Sequence, residues 1–248
     1  STDSVSAKGL KAGTALLVNA GSFTIDAADD ALHSNGILTV NGETFEMATG
    51  DDGMHADDQL AITAGTIHIT KCYEGIEGLT ITISGGEITL VSSDDGLNAA
   101  GGNDQSGFGG FGGFGGNGEF GGSSDCWIRI TGGLLNINAS GDGIDSNGML
   151  YVDGGEIYVS GSSDNGNGAL DYNSDAVITG GVLVAAGASG MAQNFGTFST
   201  QGSMLVSTGS QSAGSTITLT DSDGNELLSF QAAKSFDCVV ISCPEIVQ

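Results

Sequence analysis

Residues 73–97 read Tyr73-Glu-Gly-Ile-Glu-Gly-Leu-Thr-Ile-Thr-Ile-Ser-Gly-Gly-Glu-Ile-Thr-Leu-Val-Ser-Ser-Asp-Asp-Gly-Leu97, two acidic bends enclosing two short strands. Apolar residues alternate on both sides of Gly85-Gly86, the period of a strand with one buried face. The opening bend, Tyr73-Glu-Gly-Ile76, is repeated by the closing one, Asp94-Asp-Gly-Leu97, 21 residues later. Upstream, Ala7-Lys-Gly-Leu10, Asp29-Asp-Ala-Leu32 and Asp51-Asp-Gly-Met54 follow at steps of 22. Downstream, Gly141-Asp-Gly-Ile144 and Asn167-Gly-Ala-Leu170 continue the series, with residues 101–122 inserted between the fifth and sixth copies.

A unit of 22 residues with period-2 strands is about 70 Å of extended chain, which suits one turn of a β-solenoid. The sequence therefore predicts an all-β fold, a right-handed single-stranded parallel β-helix of about seven coils over residues 1–196. Coil-to-coil pairing would stack equivalent residues about 4.8 Å apart. Three apolar columns result. They are Leu10, Leu32, Met54, Ile76, Leu97, Ile144, Leu170; Val18, Val40, Ile62, Ile83, Ile130, Val152, Ile178; and Phe23, Phe45, Ile67, Ile88, Leu135, Ile157, Leu183. Residues 197–248 lose the period. Thr216–Phe230 reads as a hairpin around an Asp-Gly turn, and 238–242 as one more strand, together a C-terminal cap on the helix end. The insertion, rich in Gly and Phe, contains Gly107-Phe-Gly-Gly-Phe-Gly112, but no strand-to-helix context supports a dinucleotide site.

The same register stacks charge. The position before each anchor Gly or Ala carries Lys8, Asp30, Asp52, Glu74, Asp95, Asp142 and Gly168; three residues on stand Lys11, His33, His55, Glu77, Asn98, Asp145 and Asp171. Carboxylates about 4.8 Å apart repel by about 3.5 kcal/mol at an effective dielectric near 20. The chain has 5 Lys and Arg against 30 Asp and Glu, a formal charge of −25, so it offers few cations of its own. Calcium, which takes 6–8 oxygen ligands, fits such a column better than zinc does. Two ion sites are expected: Asp52 with Glu74 and Glu77, and Asp95 with Asp142, Asp145 and Asp171; Asp30 extends the column. The acidity excludes nucleic acid as a partner, and no apolar run approaches the ~20 residues of a membrane span. Cys72, Cys126, Cys238 and Cys243 form no zinc pattern, leaving buried thiols or disulfides as the two readings.

Gly50-Asp-Asp-Gly-Met-His-Ala56, Ser93-Asp-Asp-Gly-Leu-Asn-Ala-Ala-Gly-Gly102, Ser140-Gly-Asp-Gly-Ile-Asp-Ser-Asn-Gly148 and Gly166-Asn-Gly-Ala-Leu-Asp171 make the chain resemble secreted bacterial carbohydrate-binding β-helix proteins. The resemblance implies a fold similar to family 9 pectate lyases, calcium between coils, an extracellular or cell-surface location, binding of acidic polysaccharide of the polygalacturonate type, and coils that precede Ser1. A non-catalytic binder is the first functional expectation. The second is an extracellular fibre of end-to-end stacked copies. A calcium-dependent lyase is the third; it needs a basic residue beside the ion, for which Lys71 is the candidate.

Overall fold

The computed structural model describes residues 7–100 and 125–247; the Gly/Phe-rich insertion lies outside them. Among the described residues the chain is all-β and winds seven times as a parallel β-solenoid. The coils are β1 (Leu10–Ala12), β2 (Ala15–Val18) and β3 (Ser22–Ala27); β4 (Leu32–Ser34) and β5 (Ile37–Thr49); β6 (Met54–Cys72); β7 (Ile76–Ile83) and β8 (Glu87–Ser92); β9 (Leu97–Ala99) and β10 (Trp127–Ala139); β11 (Ile144–Ser146) and β12 (Met149–Ser160); β13 (Leu170–Tyr172), β14 (Asp175–Ile178) and β15 (Val182–Gly187).

All three apolar columns form as the spacing requires. Leu10 pairs with Leu32, Leu32 with Met54, Met54 with Ile76, and so on to Leu170. The Val18 and Phe23 columns hold register through every coil to Ile178 and Leu183. From the second coil onward these side chains are almost wholly buried and form one continuous core. Each contributes about 1.5–3 kcal/mol relative to exposure. In the first coil Leu10, Leu16, Phe23 and Ile25 are only partly buried, and Phe23 stacks on Phe45 with centroids 5.0 Å apart.

The Gly-Gly bends have a conformational cause. Gly86, Gly133, Gly155 and Gly181 stack at the same corner with φ between +90° and +98°. L-residues pay about 1–2 kcal/mol there, and a Cβ on Gly155 would also lie 3.0 Å from the carbonyl oxygen of Gly133.

Beyond the coils come β16 (Ser203–Gln211), β17 (Thr216–Thr220), β18 (Glu226–Gln231) and β19 (Phe236–Ser242). The predicted hairpin is β17–β18. Its turn is held by the Asp221 carboxylate, which accepts the amides of Asp223 at 2.9 Å and Asn225 at 2.8 Å. Closure of the solenoid edge falls to β19, which runs antiparallel to β15 and carries β16 on its other side. Val240 faces the main core, while Val239 and Ile241 join Ile217 and Leu228 in a second cluster against Val184. The hairpin thus packs on the flank of the last coil.

The disulfide reading is corrected: no disulfide joins the four cysteines, all of which are buried. Cys238, on β19, lines the last coil beside Ala185, whereas Cys243, just past the end of that strand, lies in the second cluster. Cys72 ends β6 in the third coil and Cys126 precedes β10 in the fifth. Two coils alone separate them by about 10 Å, beyond disulfide reach.

Gly155→Ala is expected to lower the urea midpoint by the equivalent of about 1–2 kcal/mol. An unchanged midpoint would remove the left-handed bend as a constraint on the fold.

Candidate metal centre

The acidic column forms at the bend that precedes β4, the third coil's β6, and β7, β9, β11 and β13. Its backbone is tied coil to coil: Gly9 N–H donates to the Asp30 carbonyl, Ala31 to Asp52, Gly53 to Glu74, Gly75 to Asp95, Gly96 to Asp142 and Gly143 to Gly168. A second tie comes from the side chains. Asp30 Oδ1 accepts the amide of Asp52 at 3.2 Å, Asp52 Oδ1 that of Glu74 at 3.3 Å, Asp95 Oδ1 that of Asp142 at 2.6 Å, and Asp142 Oδ1 that of Gly168 at 2.5 Å. Each aspartate therefore satisfies an amide in the following coil with one oxygen and keeps the other for a cation. Spacing alone gives no sign of this structural duty.

In the first three coils the partners of the carboxylates come from the protein. Lys8 Nζ lies 2.9 Å from Asp29 and 2.5 Å from Asp30. His33 Nδ1 is 2.7 Å from Asp30 Oδ2. Burial raises Asp30, but His33 and Lys8 outweigh it and hold the carboxyl below its ordinary range. His55, stacked on His33 with centroids 4.8 Å apart, is wholly buried. Its Nδ1 is 2.5 Å from Glu77 Oε2 and 3.2 Å from Asp52 Oδ2, and its Nε2 is 3.1 Å from Asp57. Burial works against the charged imidazole, yet the hydrogen bonds of Asp52 and Glu77 push it up to about 11. An imidazolium thus stands where the sequence places the first ion.

That expected trio of Asp52, Glu74 and Glu77 is corrected accordingly. Asp52 and Glu77 converge on His55. Glu74 turns to Asn98, whose Nδ2 donates to it at 2.8 Å. Burial, then repulsion from Glu77 and Asp52, raises Glu74 to about 9. Sequence reasoning weighed the histidines only as zinc ligands. The signal for their real place was available: His33 and His55 occupy the same column as Glu77.

From the fifth coil the column has no ion-pair partner among the described residues; Lys234, the nearby cation, donates to the Ala139 carbonyl and the Ser140 hydroxyl. Asp95, Asp142 and Asp145 offer one oxygen each within 4.8 Å of one another. Among the described residues none of them, nor Asp171, makes an ion pair. Asp171 is the register partner of Asp145, and repulsion from it acts on Asp145. Burial is the largest cause that raises Asp95 to about 7, Asp142 to about 6 and Asp145 to about 8; repulsion within the group adds to each. Gly141 makes room for it, since a Cβ there would lie 2.3 Å from Asp95 Oδ1 and 2.4 Å from Asp94 Oδ1. Beside Asp145 in register stands Asn98, 7% exposed, whose Oδ1 is buried without a hydrogen-bond partner among the described residues. Three converging carboxylates, with Asp171 and Asn98 in register on either side of Asp145, are hard oxygen donors of the kind calcium takes.

Lys71 is exposed, pairs in register with Ala48, and forms no ion pair among the described residues.

His55→Ala leaves Asp52 and Glu77 facing each other without a cation. A loss of about 3–5 kcal/mol in urea unfolding at pH 8 is expected, smaller at pH 5, where one carboxylate takes up a proton. An equal loss at both pH values would show that His55 acts through packing instead.

A family model described as carbohydrate-binding domain-containing protein matches residues 1–53 and 51–243, nearly the whole chain. No curated protein and no solved structure matches. A parallel β-solenoid matched along its length in this way belongs to the carbohydrate-binding domain-containing protein family.

Proposed function

We propose that this chain is an extracellular, non-catalytic module that binds acidic polysaccharide through calcium at Asp95, Asp142, Asp145 and Asp171. One observation carries the reading: Lys8, His33 and His55 partner the carboxylates of the first coils, whereas among the described residues no ion pair reaches Asp95, Asp142, Asp145 or Asp171, and the nearby Lys234 donates to the Ala139 carbonyl and the Ser140 hydroxyl instead. Buried carboxylates kept together without an ion-pair partner favour either protons or a cation, and near neutral pH groups raised to about 6–8 are only partly protonated, so a divalent cation competes with the proton for them. When bound, calcium would offset the repulsion and leave coordination positions for a uronate carboxylate and hydroxyls. Asp142 and Asp95 would hold their free oxygens toward it while their Oδ1 atoms remain tied to the next coil. Asn98 Oδ1 supports the same reading as a neutral ligand.

The lyase alternative needs a base at this ion, and Lys71, its sequence candidate, is exposed on the third coil and forms no ion pair among the described residues.

Calorimetric titration with calcium is expected to show saturable binding that Asp145→Asn weakens at least tenfold. Asp30→Asn, in the half already neutralised by lysine and histidine, is expected to leave it unchanged. Equal affinities for the parent and Asp145→Asn would sink the assignment.

The metal-free protein carries a pH signature. Asp95, Asp142 and Asp145 have folded pKa values above their unfolded value of 3.8. Between about pH 4 and 8 the folded state therefore binds more protons than the unfolded state, and stability falls as pH rises. His55, raised to about 11, acts in the same direction above pH 6.5. The melting temperature in chelator is expected to drop from pH 5 to pH 8, and calcium to restore it at pH 8 more than at pH 5.

A further inference from the structure

The chain has one tryptophan, and it is not in the core. Trp127 opens β10, where Ile128 and Ile130 point inward and are fully buried, so Trp127 and Arg129 point outward. On the next coil Met149 lies opposite Trp127 and Tyr151 opposite Arg129. On the preceding coil the partners are Thr80 and Thr82. The outer face of β7, β10 and β12 thus presents two aromatic rings, a guanidinium and threonine hydroxyls within two coil spacings.

The arginine is set in place. Its guanidinium carbon lies 5.3 Å from the centre of the Tyr151 ring, and its Nη2 is 2.6 Å from Asp153 Oδ2. Thr179 in turn donates to Asp153 Oδ1 at 2.7 Å. Arg129 still keeps about half its side chain, 49%, open to solvent. A cation stacked on an aromatic and braced by a carboxylate has lost most of its rotamer freedom before any ligand arrives. Its remaining N–H donors are arranged in a fixed fork that suits paired oxygens. In a chain with 5 basic residues against 30 acidic ones, such a fixed and half-exposed guanidinium is an expensive feature to place on a plain outer strand.

We propose that Trp127, Arg129 and Tyr151 form a second glycan-contacting site, a flat platform for a pyranose ring. The apolar C–H face of the sugar would lie on the Trp127 ring, and its ring-edge oxygens would take the Arg129 donors. Either a neutral hexopyranose chain or a uronate chain supplies that chemistry; with a uronate, the guanidinium meets the carboxylate directly. The site needs no calcium. It sits on the same coils as the carboxylate group, with Tyr151 six residues beyond Asp145 and separated from it by the corner at Ser146–Gly148. Six residues of extended strand span about 20 Å, so one oligosaccharide long enough to turn that corner could touch both. The inference rests on the carbohydrate-binding reading above and names where a sugar ring is held.

The single tryptophan makes the test direct, because intrinsic indole fluorescence reports this position alone. The full chain would be titrated with cellohexaose and, separately, hexagalacturonate, each with calcium and with chelator, by fluorescence and calorimetry in parallel. A saturable change in Trp127 emission with one of the two is expected, and it persists in chelator. Tyr151→Ala and Arg129→Ala are expected to weaken that binding about tenfold while the melting temperature stays within a few degrees. Response to cellohexaose assigns a neutral glycan, and response to hexagalacturonate alone a uronate. Calorimetric binding that leaves the emission of Trp127 unmoved overturns the platform while the broader function stands. If neither glycan binds in any condition, both the platform and the reading it rests on fall.

Discussion

Parallel pairing between successive coils is the constraint from which everything else follows. It places every residue over its equivalent one repeat away, whatever that residue is. For leucine, isoleucine and valine this is favourable, because like side chains pack at van der Waals distance and leave no edge of the core unfilled. For aspartate it is costly, because like charges meet at the same spacing. The solenoid cannot offset one column without keeping the other, since both are set by the same backbone register.

The molecule answers that cost in two ways along its length. A carboxylate oxygen takes the amide of the following coil, so part of the negative charge is spent on a hydrogen bond that the bend needs in any case. The remaining charge meets Lys8, His33 and His55 at one end and other carboxylates at the other. The two halves of one column are therefore chemically different objects. The first is a closed, buried set of ion pairs and hydrogen bonds of the sort that fixes a local arrangement more than it adds stability. The second is an open group whose members raise one another's affinity for positive charge.

The fold was legible in the sequence because it depends on a period. Counting 22 residues from Leu10 reaches Leu32, then Met54, then Ile76, and the structure pairs those same residues. The Asp95–Asp142–Asp145 group was legible for the same reason, even across an insertion, since backbone pairing carries register from β9 to β11. What failed to be legible depends on side-chain torsions and on antiparallel contacts, neither of which a period encodes. Glu74 and Glu77 share a bend, yet one turns to Asn98 and the other to His55. The role of β19 at the last coil could not be read from a repeat that has already ended. Cys238 and Cys243 are separated because one lies within β19 and the other just past its end.

A regular repeat carries packing well and function poorly, because every coil presents the same surface. Specific chemistry needs a place where the repeat is broken. Here the breaks coincide. The insertion interrupts the fifth coil between β9 and β10. The histidine and lysine partners of the acidic column end before that coil, and Trp127 opens the strand that follows the insertion. An outward Trp-Arg pair replaces the Thr80 and Thr82 of the coil before. Coils two and three pair their carboxylates with lysine and histidine, and coils five and six depart from that on two adjacent faces. The departures leave the three apolar columns untouched, which is why the chain can vary its surface there without disturbing the core beneath it.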